Sequence, residues 1–338
     1  MNRILDLCDN ELVLNSGDSA VGISTRYQGR IFAGNDKGLF HQFRCDLAAD
    51  PHPTEFNNLG GNSLWPAPEG GDYAFNYLPE APEKWLVQEA VNSVCPEKVS
   101  SEPDKIKCSK LVNLRNRAGA NLSVRMSREV KLLDITSEVS GYDLTPLAYW
   151  SRDTIEYQTP QELSLAPIAA WSLEQFPGCE NIVAFGRVGS GNAKAAVNDD
   201  FYGDPWPRLQ FGDGTFIFNL GGTERLQIGI SAASDPEFIG AFDPKRNLVI
   251  IRKTLNVPGK RINIADNEQK NGVFSAQDMY SIFNGATLNF FELETIAPMD
   301  MTADGKVSGS KLISETRFFT GETDELKKYL RDIYLIEL

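Results

Sequence analysis

The sequence predicts an all-β protein built of large antiparallel sheets, with few helices and one of them at the C-terminus. Three observations carry this expectation. Short alternating or wholly apolar runs recur through most of the chain. Gly, Pro, Asn and Asp separate them, as turns separate strands. Helical spacing is clear only near the end.

The runs fall at 20–32, 122–126, 130–138, 215–220, 226–230, 248–255 and 289–296. Turn residues close them at Gly29, Gly212-Asp213-Gly214, Gly221-Gly222 and Asp243-Pro244. The segment 83–90 fits either a strand or a helical turn. Pro, Ser and charge make 96–104 read as a surface loop. Thr323 is placed to cap a helix over about 322–336, in which Leu326, Tyr329, Leu330 and Ile333 recur at i, i+3, i+4 and i+7. Length alone, at 338 residues, allows about two domains. No repeat or low-complexity linker divides the chain, so one domain over 1–338 is expected.

With 41% hydrophobic and 23% charged residues, the chain can bury a core and is not of disordered composition. A formal net charge of -13 opposes nucleic acid and anionic membranes as partners, because the field repels phosphate. Neutral ligands such as sugars meet no such barrier. No apolar run approaches the roughly 20 residues that span a bilayer, and the start lacks the pattern of a signal peptide. Five cysteines, odd in number and without CxxC spacing, read as free thiols. A reducing cytoplasm is the expected location, unless a leader has been trimmed. Oligomeric state is not legible.

One strand, Asn289-Phe290-Phe291-Glu292-Leu293-Glu294-Thr295-Ile296-Ala297-Pro298, organises the reading. Side chains alternate between faces, so Phe291, Leu293 and Thr295 share one face while Phe290, Glu292, Glu294 and Ile296 share the other. The two carboxylates then lie roughly 7 Å apart on one face, from a rise of about 3.3 Å per residue. Unpaired burial of both is costly. That face is therefore wet, paired or the wall of a site; the plain alternative is a half-exposed strand. The segment 57–77, NNLGGNSLWPAPEGGDYAFNY, is the other unusual stretch. Its glycine pairs permit rare backbone conformations, and Pro66 and Pro68 stiffen the path. Trp65 and Glu69 are thus expected on a rigid, shaped loop, or else in a β-arch around a buried Trp.

The LGGNSLWPAPEGG and FFELETIAP stretches resemble the galactose mutarotase-like superfamily. The order of features agrees over most of the chain: Tyr27–Arg30, the 57–77 loop, Arg128–Asp134, Trp171 in an Ala-Trp-Ser-Leu setting, Asp200–Gly203, and Thr223–Gly229 ahead of the glutamate strand. This resemblance implies a β-supersandwich with a sugar-binding groove on one large sheet. It further implies that Glu294, in Leu293-Glu294-Thr295, is the general base that takes the anomeric hydroxyl proton. Ile296 replaces the glutamine of the family's Leu-Glu-Thr-Gln strand. Glu292 is expected to help, since two close carboxylates do not both ionise freely. The family's acid, a histidine in an Asn-His-x-Tyr setting, has no counterpart in 145–153, and the chain's two histidines are His41 and His52.

Aromatic faces stack on sugar rings, and forked guanidiniums grip hydroxyls or a carboxylate. Trp65, Trp150 and Trp171 are the platform candidates, with Trp206 behind them. Glu69, Arg30, Arg152, Arg225, Asp278 and Tyr280 complete the expected ligand-binding set. Each has an ordinary alternative in the core or in a structural ion pair. His41, Cys45 and Asp46 lie close in sequence without a second ligand cluster, so no metal is expected. FGRVGSG at 185–191 lacks the ending and βαβ setting of a phosphate loop, so no nucleotide cofactor is expected. The functional expectation is a protein that binds a sugar or oligosaccharide, with mutarotase or epimerase chemistry first. The alternatives are a non-catalytic glycan-binding protein and, behind it, a polysaccharide lyase or glycoside hydrolase.

Overall fold

The computed structural model describes residues 2–255 and 257–338. Their strands form two antiparallel sheets of ten and eleven strands. The first sheet runs, in spatial order, Val13–Ser16, Ser19–Ser24, Arg30–Asn35, Gly61–Ala67, Ala169–Pro177, Phe290–Ile296, Asp278–Asn284, Leu226–Ser231 and Val197–Asn198. The second centres on the long strands Leu144–Gln161 and Val307–Gly321, flanked by Asn121–Leu133 on one side and Leu248–Thr254 on the other. This is the antiparallel β-sandwich expected from the sequence. Among the described residues no helix is long and apolar enough to cross a membrane.

Alternation explains the core. Phe291 and Leu293 of the glutamate strand join Ile228, Ile282 and Phe176 of the first sheet and Ile250, Tyr149 and Phe318 of the second in one buried cluster. The same interior also holds charge. Glu174 faces inward from Ala169–Pro177 and is fully buried. Its carboxylate accepts from Arg252 Nη1, Tyr149 Oη and, at 2.8 Å, Thr316 Oγ1. Arg252 also donates to Ser172 Oγ at 2.7 Å and Thr295 Oγ1 at 2.9 Å. A second buried pair, Arg128 with Asp153 at 2.8 and 2.9 Å, is tied to the first through Asn62. His41 completes the network. Its Nδ1 accepts from Ala33 N at 2.8 Å, so Nε2 donates to Glu174 at 2.7 Å. Burial, reinforced by the charges of Arg252 and Arg246, holds this imidazole neutral, with its pKa down to about 3.

Three local expectations are corrected. Residues Glu97–Ser101 form an exposed edge strand, where a loop was expected. Lys, Glu and Ser are what an edge carries to blunt further pairing. Segment 83–90 is mostly irregular, with a short helix at Glu89–Asn92. At the C-terminus the α-helix spans Thr323–Tyr329 and continues as a π turn over Leu330–Tyr334. Glu322 is its N-cap, while Thr323 Oγ1 bonds Asn247 at 2.8 Å. The wider π turn shifts the buried face by one residue, so Tyr334 packs on Phe319 and Ile333 faces solvent.

The interior network has a measurable weight. Arg252→Ala strips the buried Glu174 of its guanidinium and is expected to cost about 3–5 kcal/mol. Urea unfolding reads this as a lowered midpoint, and a loss below about 1 kcal/mol would show that the pair does not hold the sheets together.

Candidate functional site

The face of the first sheet turned away from the second sheet is covered by loops, and between floor and loops lies a cavity of about 310 Å³. Five neighbouring strands supply the floor. Trp65 comes from Gly61–Ala67, Trp171 and Leu173 from Ala169–Pro177, and Phe290, Glu292 and Glu294 from Phe290–Ile296. Phe283 comes from Asp278–Asn284 and Gln227 from Leu226–Ser231. Loops bring Phe56, Glu69, Trp85, Tyr202, Arg225 and Asp266 to the walls. The alternation expected for the glutamate strand holds: Glu292 and Glu294 face the cavity, while Phe291 and Leu293 face the sandwich interior.

Trp65 sits on a strand, contrary to the expected loop, and pairs with Trp171 across it. Pro66 fits there because pairing with Arg30–Asn35 ends at Asn62, leaving its missing N–H on an unpaired edge. The rings of Trp65 and Trp171 meet edge to face at 6.1 Å, and Trp85 and Phe56 extend the aromatic wall. The glycines of the Pro-Ala-Pro-Glu-Gly-Gly segment have a stated purpose. A Cβ on Gly70 would lie 2.5 Å from the backbone of Ala265 and Asn267, and Gly71 has φ +72°. Only glycines let this loop press against the 261–275 segment, which carries Asp266, and so fix Glu69 at the cavity.

The carboxyls are held by specific donors. Trp171 Nε1 donates to Glu294 Oε2 at 2.9 Å, and Gln227 Nε2 approaches Oε1 at 3.3 Å. Gln175 Nε2 donates to Glu292 Oε1 at 2.6 Å. Trp85 Nε1 donates to Glu69 Oε1 at 3.0 Å, and Tyr77 Oη to Asp266 Oδ1 at 2.8 Å. Arg225 lies over the ring of Tyr202, 4.4 Å from its centroid, and near that of Phe283. Of the described lining residues four are carboxylic acids and one is a guanidinium, so the acids compete for too little positive charge. Burial, then the charge of Glu292, pushes Glu294 well above the ordinary carboxylate range. Burial also raises Glu292, to about 7, with Gln175, a hydrogen bond to Glu294 and the charges of Arg30 and Arg225 opposing the rise. Burial and the charge of Asp266 raise Glu69 to about 8. Two carboxyls this close do not both ionise freely, so the Glu292–Glu294 pair keeps a proton to a higher pH than a free glutamate does.

The structure gathers Glu292, Glu294, Trp65, Glu69, Trp171 and Arg225 of the expected set in this cavity. Arg30 is buried beside it, donating to Gly60 O at 2.6 Å, and acts on Glu292 through charge. The others lie elsewhere. Trp150 and Arg152 share the outward face of the second sheet, where Arg152 pairs with Glu129 at 2.9 Å and covers the Trp150 ring. Tyr280 points into the sandwich interior, and its Oη accepts from Thr254 N at 2.9 Å. A bulge between Ile230 and Ser231 sets Asp278 over Gly229, bound by Asn198 Nδ2 at 2.7 Å and outside the cavity lining. Trp206 bonds Asp199 on the surface. His41 is interior, His52 is in an exposed loop, and Cys45 and Asp46 are exposed. Sequence reasoning missed Phe56, Trp85, Asp266 and Phe283. Tyr202 and Gln227 lie within the Asp200–Gly203 and Thr223–Gly229 stretches, and those stretches were the available signal.

Residues 3–338 match a protein family described as "Family of unknown function (DUF6786)". The chain belongs to this family. No curated protein matches it in sequence. Among solved structures, this chain's fold is similar to that of the Slr1438 protein from Synechocystis sp. PCC 6803, with TM-score 0.55 and 13% identity over 94% of this chain and 98% of that one. A galactose mutarotase-like protein from Lactobacillus casei ATCC 334 matches with TM-score 0.48 and 9% identity over 91% and 99% of the two chains. A galactose mutarotase related enzyme from Lactobacillus acidophilus does so with TM-score 0.48 and 9% identity over 92% and 98%. The likeness to the Slr1438 protein is one of fold alone.

The raised carboxyls make stability depend on pH. Unfolded, the glutamates titrate near 4.5; folded, Glu292 does so near 7 and Glu69 near 8. Between those values the folded chain keeps protons that the unfolded chain has lost, so these groups' contribution falls as pH rises. Melting temperature is expected to drop between about pH 5 and about pH 8.5, less steeply in Glu69→Gln. An equal slope in that variant would remove Glu69 as a source of the effect.

Proposed function

We propose that the cavity binds a carbohydrate and that the protein is a sugar mutarotase or epimerase, with the Glu292–Glu294 pair as its base. The observation that supports this reading is the convergence of aromatic faces and a proton-sharing carboxyl pair in one cavity on the face of a sheet. Trp65, Trp171 and Trp85 offer ring faces and edges to the apolar side of a pyranose, while Arg225, Gln227 and Asp266 offer partners to hydroxyls. Of the pair, Glu294 is fixed by Trp171 and Gln227, and Glu292 by Gln175. The ionised pair takes the proton of the anomeric hydroxyl. The C1–O1 bond gains double-bond character as the C1–O5 bond breaks, and the opened chain recloses on the other face after rotation about C1–C2. A carboxyl tuned toward neutral pH suits a base that works there. The reading takes residues 1–338 as one domain.

Non-catalytic glycan binding is the second reading, because the chain lacks a histidine at the cavity among its described residues. The two readings separate in one experiment. Anomer interconversion of a panel of free hexoses, pentoses and uronic acids is followed by polarimetry or proton NMR. Wild-type protein is expected to accelerate at least one, with Glu294→Gln lowering the rate by about 10²–10⁴-fold. Sugar binding, seen as a change in tryptophan fluorescence, without any interconversion would favour the non-catalytic reading. Neither binding nor interconversion would exclude both.

A further inference from the structure

Ring opening needs two proton movements: one leaves the anomeric hydroxyl and one reaches the ring oxygen. The proposed base accounts for the first. An imidazole cannot supply the second, because His41 is locked between Ala33 and Glu174 in the interior and His52 lies in an exposed loop. We propose that the Glu69 carboxylic acid is the general acid, donating its proton from Oε2 to the sugar ring oxygen. This rests on the mutarotase reading above and adds the group that reading lacks.

The geometry that supports it begins with the loop. Glu69 follows the Gly61–Ala67 strand and lines the same cavity as the glutamate pair. The strand Ala169–Pro177 lies between Gly61–Ala67 and Phe290–Ile296. With neighbouring strands about 4.8 Å apart, these two strands are separated by about 10 Å, and Glu69 enters the cavity over that gap from the loop beyond the first of them. Trp171, on the intervening strand, forms the floor under that space. The loop is fixed by Gly70 and Gly71, which allow no side chain where they meet 265–269. Orientation comes from Trp85. Its indole N–H donates to Oε1, so the proton of the acid sits on Oε2. Burial opposes ionisation of Glu69, and the charge of Asp266 adds to it. Glu69 is thus kept as a donor while the pair across the cavity supplies a base. Paired titratable groups pushed into opposite roles by their surroundings mark acid and base assignments.

The proton balance closes. The pair takes the proton from O1, the C1–O5 electrons move to O5, and Glu69 Oε2–H protonates O5. On reclosure Glu69 Oε2 takes that proton back and the pair returns its own to O1, leaving the enzyme unchanged.

The test uses Glu69→Gln, Glu69→Asp and Glu294→Gln in the full chain, with the panel sugar that wild-type protein interconverts. Gln keeps an oxygen for the Trp85 N–H, so the loop is expected to hold while the acid is lost. Glu69→Gln should lower kcat by about 10²–10⁴-fold with little change in KM, and should remove the alkaline limb of the pH–rate profile. Glu69→Asp should restore part of the rate with that limb displaced. A Glu69→Gln enzyme within about twofold of wild type, alongside an inactive Glu294→Gln, would overturn the assignment and leave the base in place. A wild-type protein inert on every sugar would overturn both. Carbon-13 carboxyl NMR gives a readout independent of turnover, with the Glu69 signal identified by its absence from Glu69→Gln. Titration of that signal below about pH 6 would overturn the assignment whatever the activity, because a carboxylate of that kind holds too little acid at neutral pH.

Discussion

The Glu174–Arg252 pair, buried between the sheets, is the constraint on which the other parts depend. Two opposite charges removed from water need close geometry and further hydrogen bonds to be tolerated. Glu174 receives donors from His41, Tyr149, Arg252 and Thr316, which belong to both layers of the sandwich. Arg252 returns the link through Ser172 and Thr295 of the first sheet. The two sheets are therefore fixed in one relative position at the level of individual atoms, where apolar packing alone would leave several positions close in energy. Thr295 is the nearest neighbour of Glu294 in the chain. A shift of the network is a shift of the cavity floor.

Alternation turns this into a division of roles between the two faces of the first sheet. Along Ala169–Pro177, Ser172 and Glu174 enter the interior network, while Trp171 and Leu173 line the cavity. Inside, the acidic group is matched by guanidinium and hydroxyl donors. On the cavity face the acids outnumber the cations among the described lining residues. Burial, with so little positive charge beside them, holds the cavity carboxyls above the ordinary carboxylate range. One sheet thus supports a charge-matched polar network on one side and an acid-rich cavity on the other.

The fold was legible because its signals are local. Strand runs, turn residues and the helical spacing of Leu326, Tyr329 and Leu330 each depend on neighbours in sequence. Glu292 and Glu294 were legible for the same reason, since a period of two fixes a shared face. Failures arose where position depends on distant strands. Nothing in the sequence around Trp150 and Arg152 tells that their face is the outer one of the second sheet, or that Tyr280 turns to Thr254. Lys, Glu and Ser in 97–101 carry the same composition as a loop, and only the pairing with 105–115 makes them a strand. Trp85 and Asp266 reach the cavity through long irregular segments without periodic pattern, so no spacing pointed to them.

The alternation in Phe290–Ile296 has an evolutionary consequence. Moving the register by one residue would send Glu292 and Glu294 into the interior against Arg252 and bring Phe291 and Leu293 into the cavity. A single insertion or deletion in this strand would therefore exchange an acidic cavity floor for an apolar one and place two further acids in an interior already built around Glu174 and Asp153. Sequence length in the strand is frozen, while the loops that bear Glu69, Trp85 and Tyr202 carry no such register. Changes in the shape of the cavity are channelled into the walls, by loop length and side chain, over a floor that can change only residue for residue.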